Sequence, residues 1–360
     1  MYISYDAGAN WKKFQLNLPV VPVTDMTIKD NDLIIATQGR AFWAIDDLSL
    51  LQQKADEVTN KNLHVFEVNP AYRTEGGGRR QRGGGGNALP NMGENPASGA
   101  VFNYFLKDAT DSSKVSISIY DKQNKVIKTY SKKAKEPTDK LDFSAGMNQF
   151  VWDMNYPPAE KADGMILWNG SIGSVKAAPG KYNARFRFGK DSVDAPFVIL
   201  ADPNYKMTEA DYDAQVGFLL QIRDKFSEVQ NGIKNIRAVR TQINDFTAKL
   251  DTNGTKELKV QGDSINKQLT AIEEALYQTK SKSFQDVLNF PIRINDKLAG
   301  LYGVAASGQN PPSKQARETL ADLGSQADVQ LAKLKKILDV DLKAYNKLIN
   351  EKQVPVIGVK

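Results

Sequence analysis

The chain has 360 residues and a formal net charge of +6, long enough for about two to four domains of ~100–150 residues and only mildly basic, which permits an acidic partner without requiring one. It contains no cysteine and a single histidine, His64, which excludes disulfides, thiolate zinc sites, cysteine nucleophiles, iron–sulfur clusters and histidine metal clusters, so neither metal nor cofactor is expected. No run approaches the ~20 apolar residues that cross a bilayer, and Met1-Tyr2-Ile3 lacks the basic and apolar parts of a signal peptide.

Residues 1–50 alternate short β-like runs with turns: YISY, DAGAN, WKKF, then VTDMTI, KDND, DLIIATQ, Gly39-Arg40 and AFWAID. Strands this short, with Asp, Asn and Gly between them, predict an antiparallel meander. About five strands from ~50 residues carry little apolar area, so their faces call for neighbours. Asp46 and Asp47 are the one adjacent carboxylate pair here, and side chains of successive strand residues point to opposite faces, so they do not converge as a glycosidase pair would.

Residues 51–97 read as a linker. LHVFEV is a short strand or linker segment holding His64, and the chain offers no G-x-S-x-G elbow for a histidine triad. Seven glycines and three arginines (Arg79, Arg80, Arg82) fall within residues 76–86. That composition cannot bury a core and predicts a solvated loop. The arginines are candidates for contact with an anionic surface. The tract lacks a phosphate-loop signature and the aromatic residues of a nucleic-acid platform, so nucleic acid is not the expected partner.

Residues 98–203 keep a period of two. Val115, Ile117 and Ile119 alternate with Ser116 and Ser118, and Tyr182, Ala184, Phe186 and Phe188 alternate with Asn183, Arg185 and Arg187. VFNYFL, KVSISIYD, KVIKTYS, NQFVWDMN, MILW, KYNARFRF and APFVIL predict a two-sheet sandwich anchored by Trp152 and Trp168. No acid, base and nucleophile set accompanies them.

Residues 204–360 change to helical spacing. Thr208 before Glu209 and Asp211 reads as an N-cap, and apolar residues from Tyr212 to Leu250 recur at steps of three and four. That predicts a helix of about 43 residues, closed by Asn253-Gly254. A second helix starts near 255 and is broken at Pro291, a further helical piece holds Leu298 and Leu301, and Ser313 caps a last helix. Each stripe is too narrow to be covered alone, which predicts an antiparallel three-helix bundle. An intermolecular coiled coil is the alternative.

Six stretches carry a family resemblance. Ser4-Tyr5-Asp6-Ala7-Gly8-Ala9-Asn10-Trp11 fits S-x-D-x-G-x-x-W and resembles the Asp-box, or BNR repeat, of sialidase-like and sortilin-like β-propellers. DLIIATQGRAFWAIDDL resembles the last blade of bacterial sortilin-like repeat proteins, often labelled "glycosyl hydrolase, BNR repeat". AGMNQFVWDMNYP, APGKYNARFRF, PIRINDKLAGLYGVAASG and DLKAYNKLI resemble the Ig-like and helical domains that follow. The resemblance implies a multidomain β plus α chain: propeller blade remnant at 1–50, linker at 51–97, Ig-like or fibronectin-type sandwich at 98–203 and helical bundle at 204–360. It makes Ser4, Asp6, Gly8 and Trp11 structural, with Asp6 accepting from its loop's N–H groups, Gly8 at positive φ and Trp11 packing between sheets. It implies upstream blades as partners, with a protein, peptide or glycan ligand, and a secreted, periplasmic or cell-envelope location. The alternative implied by the family label is a glycoside hydrolase whose site lies mainly in upstream blades. No catalytic residue is assigned in this chain.

Overall fold

The structure, a computed structural model, describes residues 1–53, 58–74, 97–108, 115–168, 172–250 and 255–354. It is a mixed β and α structure with several sheets, one of them curled into a half-barrel, and a C-terminal helical region. Two compact units divide the chain: Met1–Ala71, Gly76–Asp153 and Lys181–Val198 in one, Tyr72–Glu75, Met154–Gly180 and Ile199–Lys360 in the other.

Within the first unit, β1 (Tyr2–Ile3) pairs with β2 (Lys12–Lys13), and β3 (Val23–Lys29), β4 (Asp32–Thr37) and β5 (Phe42–Ile45) form an antiparallel three-stranded sheet. Asp30 and Asn31 both take positive φ, 52° and 69°, the two-residue turn whose twist matches that of a hairpin. A one-turn helix, α1 (Ser49–Gln52), follows.

β6 (Leu63–Val65), β8 (Ala100–Leu106) and β11 (Gly146–Trp152) form a sheet of order β11-β8-β6. A five-stranded sheet of order β10-β9-β12-β13-β7 is built from β7 (Ala71–Arg73), β9 (Val115–Tyr120), β10 (Val126–Ser131), β12 (Gly180–Phe188) and β13 (Asp191–Ala201). The two sheets meet through rings. Phe102 of β8 lies 5.8 Å from Phe186 of β12 and 5.0 Å from Phe197 of β13, while Trp152 of β11 lies 6.0 Å from Tyr182. The period-two residues of β8, β9 and β12 are the buried ones, as alternation requires, except Phe188 at the end of β12, which is half-buried.

The helical unit opens at Thr208, whose hydroxyl accepts from the Asp211 amide at 3.2 Å while Asp211 accepts from the Thr208 amide at 3.1 Å, a reciprocal cap. From it α2 runs Glu209–Thr247, 39 residues. α3 (Lys256–Leu276) returns alongside it: Arg237 pairs with Glu273, and Asn244 with Asn266. α4 (Ile294–Ala306) continues that descent, ending where Gln215 Nε2 donates to the Ala305 and Gly308 carbonyls. α5 (Lys314–Lys336) starts at Ser313, whose hydroxyl accepts from the Ala316 amide, and runs parallel to α2, Lys225 meeting Asp328 and Gly232 meeting Leu331 and Leu334. A π turn, Ile337–Asp341, joins it to α6 (Leu342–Glu351). One apolar core holds the three legs, with Tyr212, Ile222, Phe226, Leu258, Leu269, Leu298 and Ala327 fully buried.

Three expectations change. The second helix ends at Leu276, with Tyr277 extended, well before Pro291. Thr279, Ser281 and Ser283 follow, residues whose hydroxyls compete with helix for the backbone. MILW is not a strand. Residues 159–168 run along the helices, their amides held by side chains: Ala162 by Gln230, Ile166 by Tyr277 Oη and Trp168 by Asp296, at 3.2, 3.2 and 2.8 Å. Buried Gln230, Tyr277 and Asp296 thus do for this segment what a neighbouring strand would do. Consequently Trp168 is no core anchor; it is 40% exposed and stacks on Phe284 at 5.4 Å, whereas Trp152 is fully buried.

Candidate functional site

The Ser4–Trp11 segment is a closed hydrogen-bonded turn between β1 and β2. Ser4 Oγ donates to Asp6 Oδ1 at 2.8 Å and accepts from the Gly8 amide at 2.8 Å. Asp6 Oδ1 also accepts from the Asn10 amide at 2.8 Å, and Oδ2 from Asn10 Nδ2 at 2.7 Å. These bonds, those of Asn10 first and Ser4's after them, hold the Asp6 carboxyl down at about 2. Gly8 sits at φ +91°, and a Cβ there would lie 3.7 Å from the Trp11 ring. Ala7 takes φ 56°. The indole therefore lies against the turn, yet it remains 63% exposed. Asn10 was not singled out by the pattern, although it supplies two donors to the carboxylate.

Cross-strand register places Met26, Ile35 and Trp43 on one face of the β3-β4-β5 sheet, together with Ile28, Leu33 and Ile45. Six apolar residues thus share a face. Phe14, Leu16 and Leu18 line a small cavity of about 30 Å³ with Ile35, Trp43 and Ile45. Only Ile35, 2% exposed, is buried among residues 1–50. Met26 and Ile28 remain 55% and 63% exposed, and Phe42, on the other face, 79%. This segment does not close a core of its own.

The other sequence candidates are dispersed. Asp46 and Asp47 lie past the end of β5 rather than within a strand. Asp47 takes φ 61° and accepts from the Ser49 amide at 2.9 Å and from Asn31 at 3.4 Å. Burial pushes its carboxyl up, but hydrogen bonds from Ser49, Asn69 and Asn31 outweigh it and leave it below the usual range. It is a turn-forming carboxylate. His64 sits in β6, opposite Phe105 and edge-on to Phe66 at 4.8 Å. Arg79, Arg80 and Arg82 lie outside the described residues. Among the described residues no group of three or more His, Asp or Glu is placed to hold a metal, and no helix is long and apolar enough to cross a membrane.

With that geometry in view, no family model matches the chain and no curated protein matches it. Among solved structures, a chain described as pT26-6p is similar at 13% identity, over 71% of this chain and 46% of that one, with a TM-score of 0.15. The chain therefore spans less than half the length of that protein, and a score so low carries no argument about fold or function.

Sequence reading overlooked one further group. Arg237 and Arg240 of α2 converge on Glu273 of α3 at 2.8 and 2.7 Å, and the carboxylate side chain is only 4% exposed. The signal was present: Glu273 falls on the apolar stripe, four residues after Leu269 and one after Ile272, where an acid must be paired to be buried.

Proposed function

We propose that this chain is a non-catalytic interaction and structural region of a secreted or envelope-located sortilin-like propeller protein. In this reading residues 1–50 are propeller-type sheet, the Ser4–Trp11 turn is an Asp-box, the two-sheet body is Ig-like and the helical unit is a three-helix bundle. The observation that supports it is the open apolar face of β3-β4-β5. Met26, Ile28, Leu33, Ile35, Trp43 and Ile45 share that face, while Ile35 alone is buried. Burying a Met or Ile side chain is worth about 1.5–3 kcal/mol, so further β-structure packed there would be held strongly. The carboxylates near this face are engaged in turns rather than paired for acid–base work, which favours binding over hydrolysis. A protein, peptide or glycan ligand would be bound by the propeller as a whole.

The test is hydrolysis of a panel of glycans by the isolated chain, run beside binding of the hydrophobic dye ANS. The expected result is no turnover, together with dye fluorescence that falls when Met26 and Ile28 are replaced by lysine. Turnover by this chain, or dye binding indifferent to those substitutions, would overturn the proposal.

A further inference from the structure

A cleft of about 370 Å³ opens in the helical unit between α2, α3 and the segments flanking Tyr277, within the size range of small-ligand sites. Arg237, Arg240 and Lys282 line it, with Glu273 as its one acid and Thr270, Thr279 and Ser281 supplying hydroxyls. Three cations against one anion leave two positive charges on its wall. The anion is already committed. Glu273 Oε1 accepts from Arg237 Nε and Oε2 from Arg240 Nη1, so the carboxylate orients both guanidiniums while cancelling one charge.

The guanidiniums are fixed but not saturated. Arg237 is held further by donating to the Asp163 carbonyl at 2.7 Å and by lying 5.4 Å over the Tyr277 ring. Arg240 Nη2 makes only a long bond, 3.3 Å, to Thr270, and its Nε is buried with no partner. Lys282 is exposed, and its ammonium forms no ion pair among the described residues. The outer guanidinium nitrogens, the Lys282 ammonium and the Thr279 and Ser281 hydroxyls line one concavity, charged and neutral donors of the kind from which a tetrahedral oxyanion accepts. An aromatic pair adjoins this lining along the chain. Ile166 and Lys282 line the cleft, and two residues beyond each of them the rings of Trp168 and Phe284 stack at 5.4 Å with an angle of 17°. Trp168 is 40% exposed and Phe284 58%, a surface on which a sugar ring can rest.

We propose that this cleft is a binding site for a phosphate or sulfate oxyanion carried on a sugar, with Arg237, Arg240 and Lys282 taking the anion and Trp168 taking the ring. It is independent of the propeller reading, since every residue invoked belongs to the helical unit.

Isothermal titration of the full chain with inorganic phosphate, glucose 6-phosphate and glucose, at low and constant ionic strength, tests it. Glucose 6-phosphate should bind several-fold more tightly than phosphate, and glucose not measurably. Lys282→Glu should weaken both anions by about tenfold or more, with an unchanged melting temperature because that side chain supports nothing. Lys347→Glu, an equal charge change on α6, should leave both affinities alone. Trp168→Ala should weaken glucose 6-phosphate several-fold and spare phosphate; if both anions bind equally before and after it, the anion is inorganic and the sugar half of the proposal falls. Failure of the native chain to bind either anion at millimolar concentration, or equal losses in the Lys282 and Lys347 variants, would overturn the site altogether.

Discussion

The first fifty residues and the helical unit both carry apolar side chains at the repeat of their secondary structure, yet they end in opposite states of burial. In the helices each stripe meets two others, and Ile222, Phe226, Leu258 and Leu298 are fully enclosed. In the β3-β4-β5 sheet an equally regular face of six residues meets the 14–18 loop; Ile35 is buried, Leu33, Trp43 and Ile45 are half-buried, and Met26 and Ile28 stay exposed. The difference lies in reach. Three helical legs of 20 residues or more can wrap one another, whereas one short three-stranded sheet presents a face that nothing of its own length can cover. Regular patterning makes an element; a partner surface makes a core.

That contrast can be broken by substitution. The largest loss is expected from Phe226→Ala, which opens a cavity at the centre of the helical core and should cost about 3–5 kcal/mol in urea unfolding monitored by far-UV circular dichroism. Next is Gly99→Ala. Gly99 takes φ 148°, and a Cβ there would lie 2.3 Å from the Trp152 carbonyl oxygen, so about 3 kcal/mol should be lost through strain and displaced β8-β11 pairing. Thr208→Ala removes the cap of α2 and should cost about 1 kcal/mol, read as faster amide exchange in its first turn. Met26→Ala and Ile28→Ala should each change stability by less than about 0.5 kcal/mol, since their side chains are already solvated. A large effect there would mean that the face is covered, and the comparison would fail.

The smallest effect is local and depends on pH. The folded Asp6 carboxyl is depressed to about 2 from an ordinary value near ~4. A depressed carboxylate stabilises fully above the unfolded value and loses that contribution as pH falls through the folded one. The Gly8 and Asn10 amides should therefore stay protected at pH 5 and lose protection between about pH 4 and pH 2, while core amides of α2 do not respond in that window. A carboxyl titration of Asp6 near 4 by NMR would remove the turn's hydrogen-bond account.

Much of this architecture was legible in the residues. Period-two alternation marked Val115–Tyr120 and Gly180–Phe188, Thr208 with Asp211 marked the start of α2, and S-x-D-x-G-x-x-W marked a turn whose serine, aspartate and glycine bond as their chemistry suggests. Each is a local rule, in which propensity and hydrogen-bonding reach act within a few residues. Misreadings occurred where a distant group decided. MILW has a strand's composition, but Tyr277 and Asp296, more than a hundred residues away, hold its amides. The π turn at Ile337–Asp341 has no signature in a leucine-rich helix.

The residues by themselves determined most of the strands and helices and which face of each is apolar, because periodicity and capping act over one or two turns of chain. Only the tertiary structure decided that Trp168 stays at the surface, that Glu273 gathers Arg237 and Arg240 into one cleft, and that the apolar face of the first sheet remains open. Those outcomes depend on which surfaces, far apart in sequence, come within a few ångströms of each other, and no local pattern carries that distance.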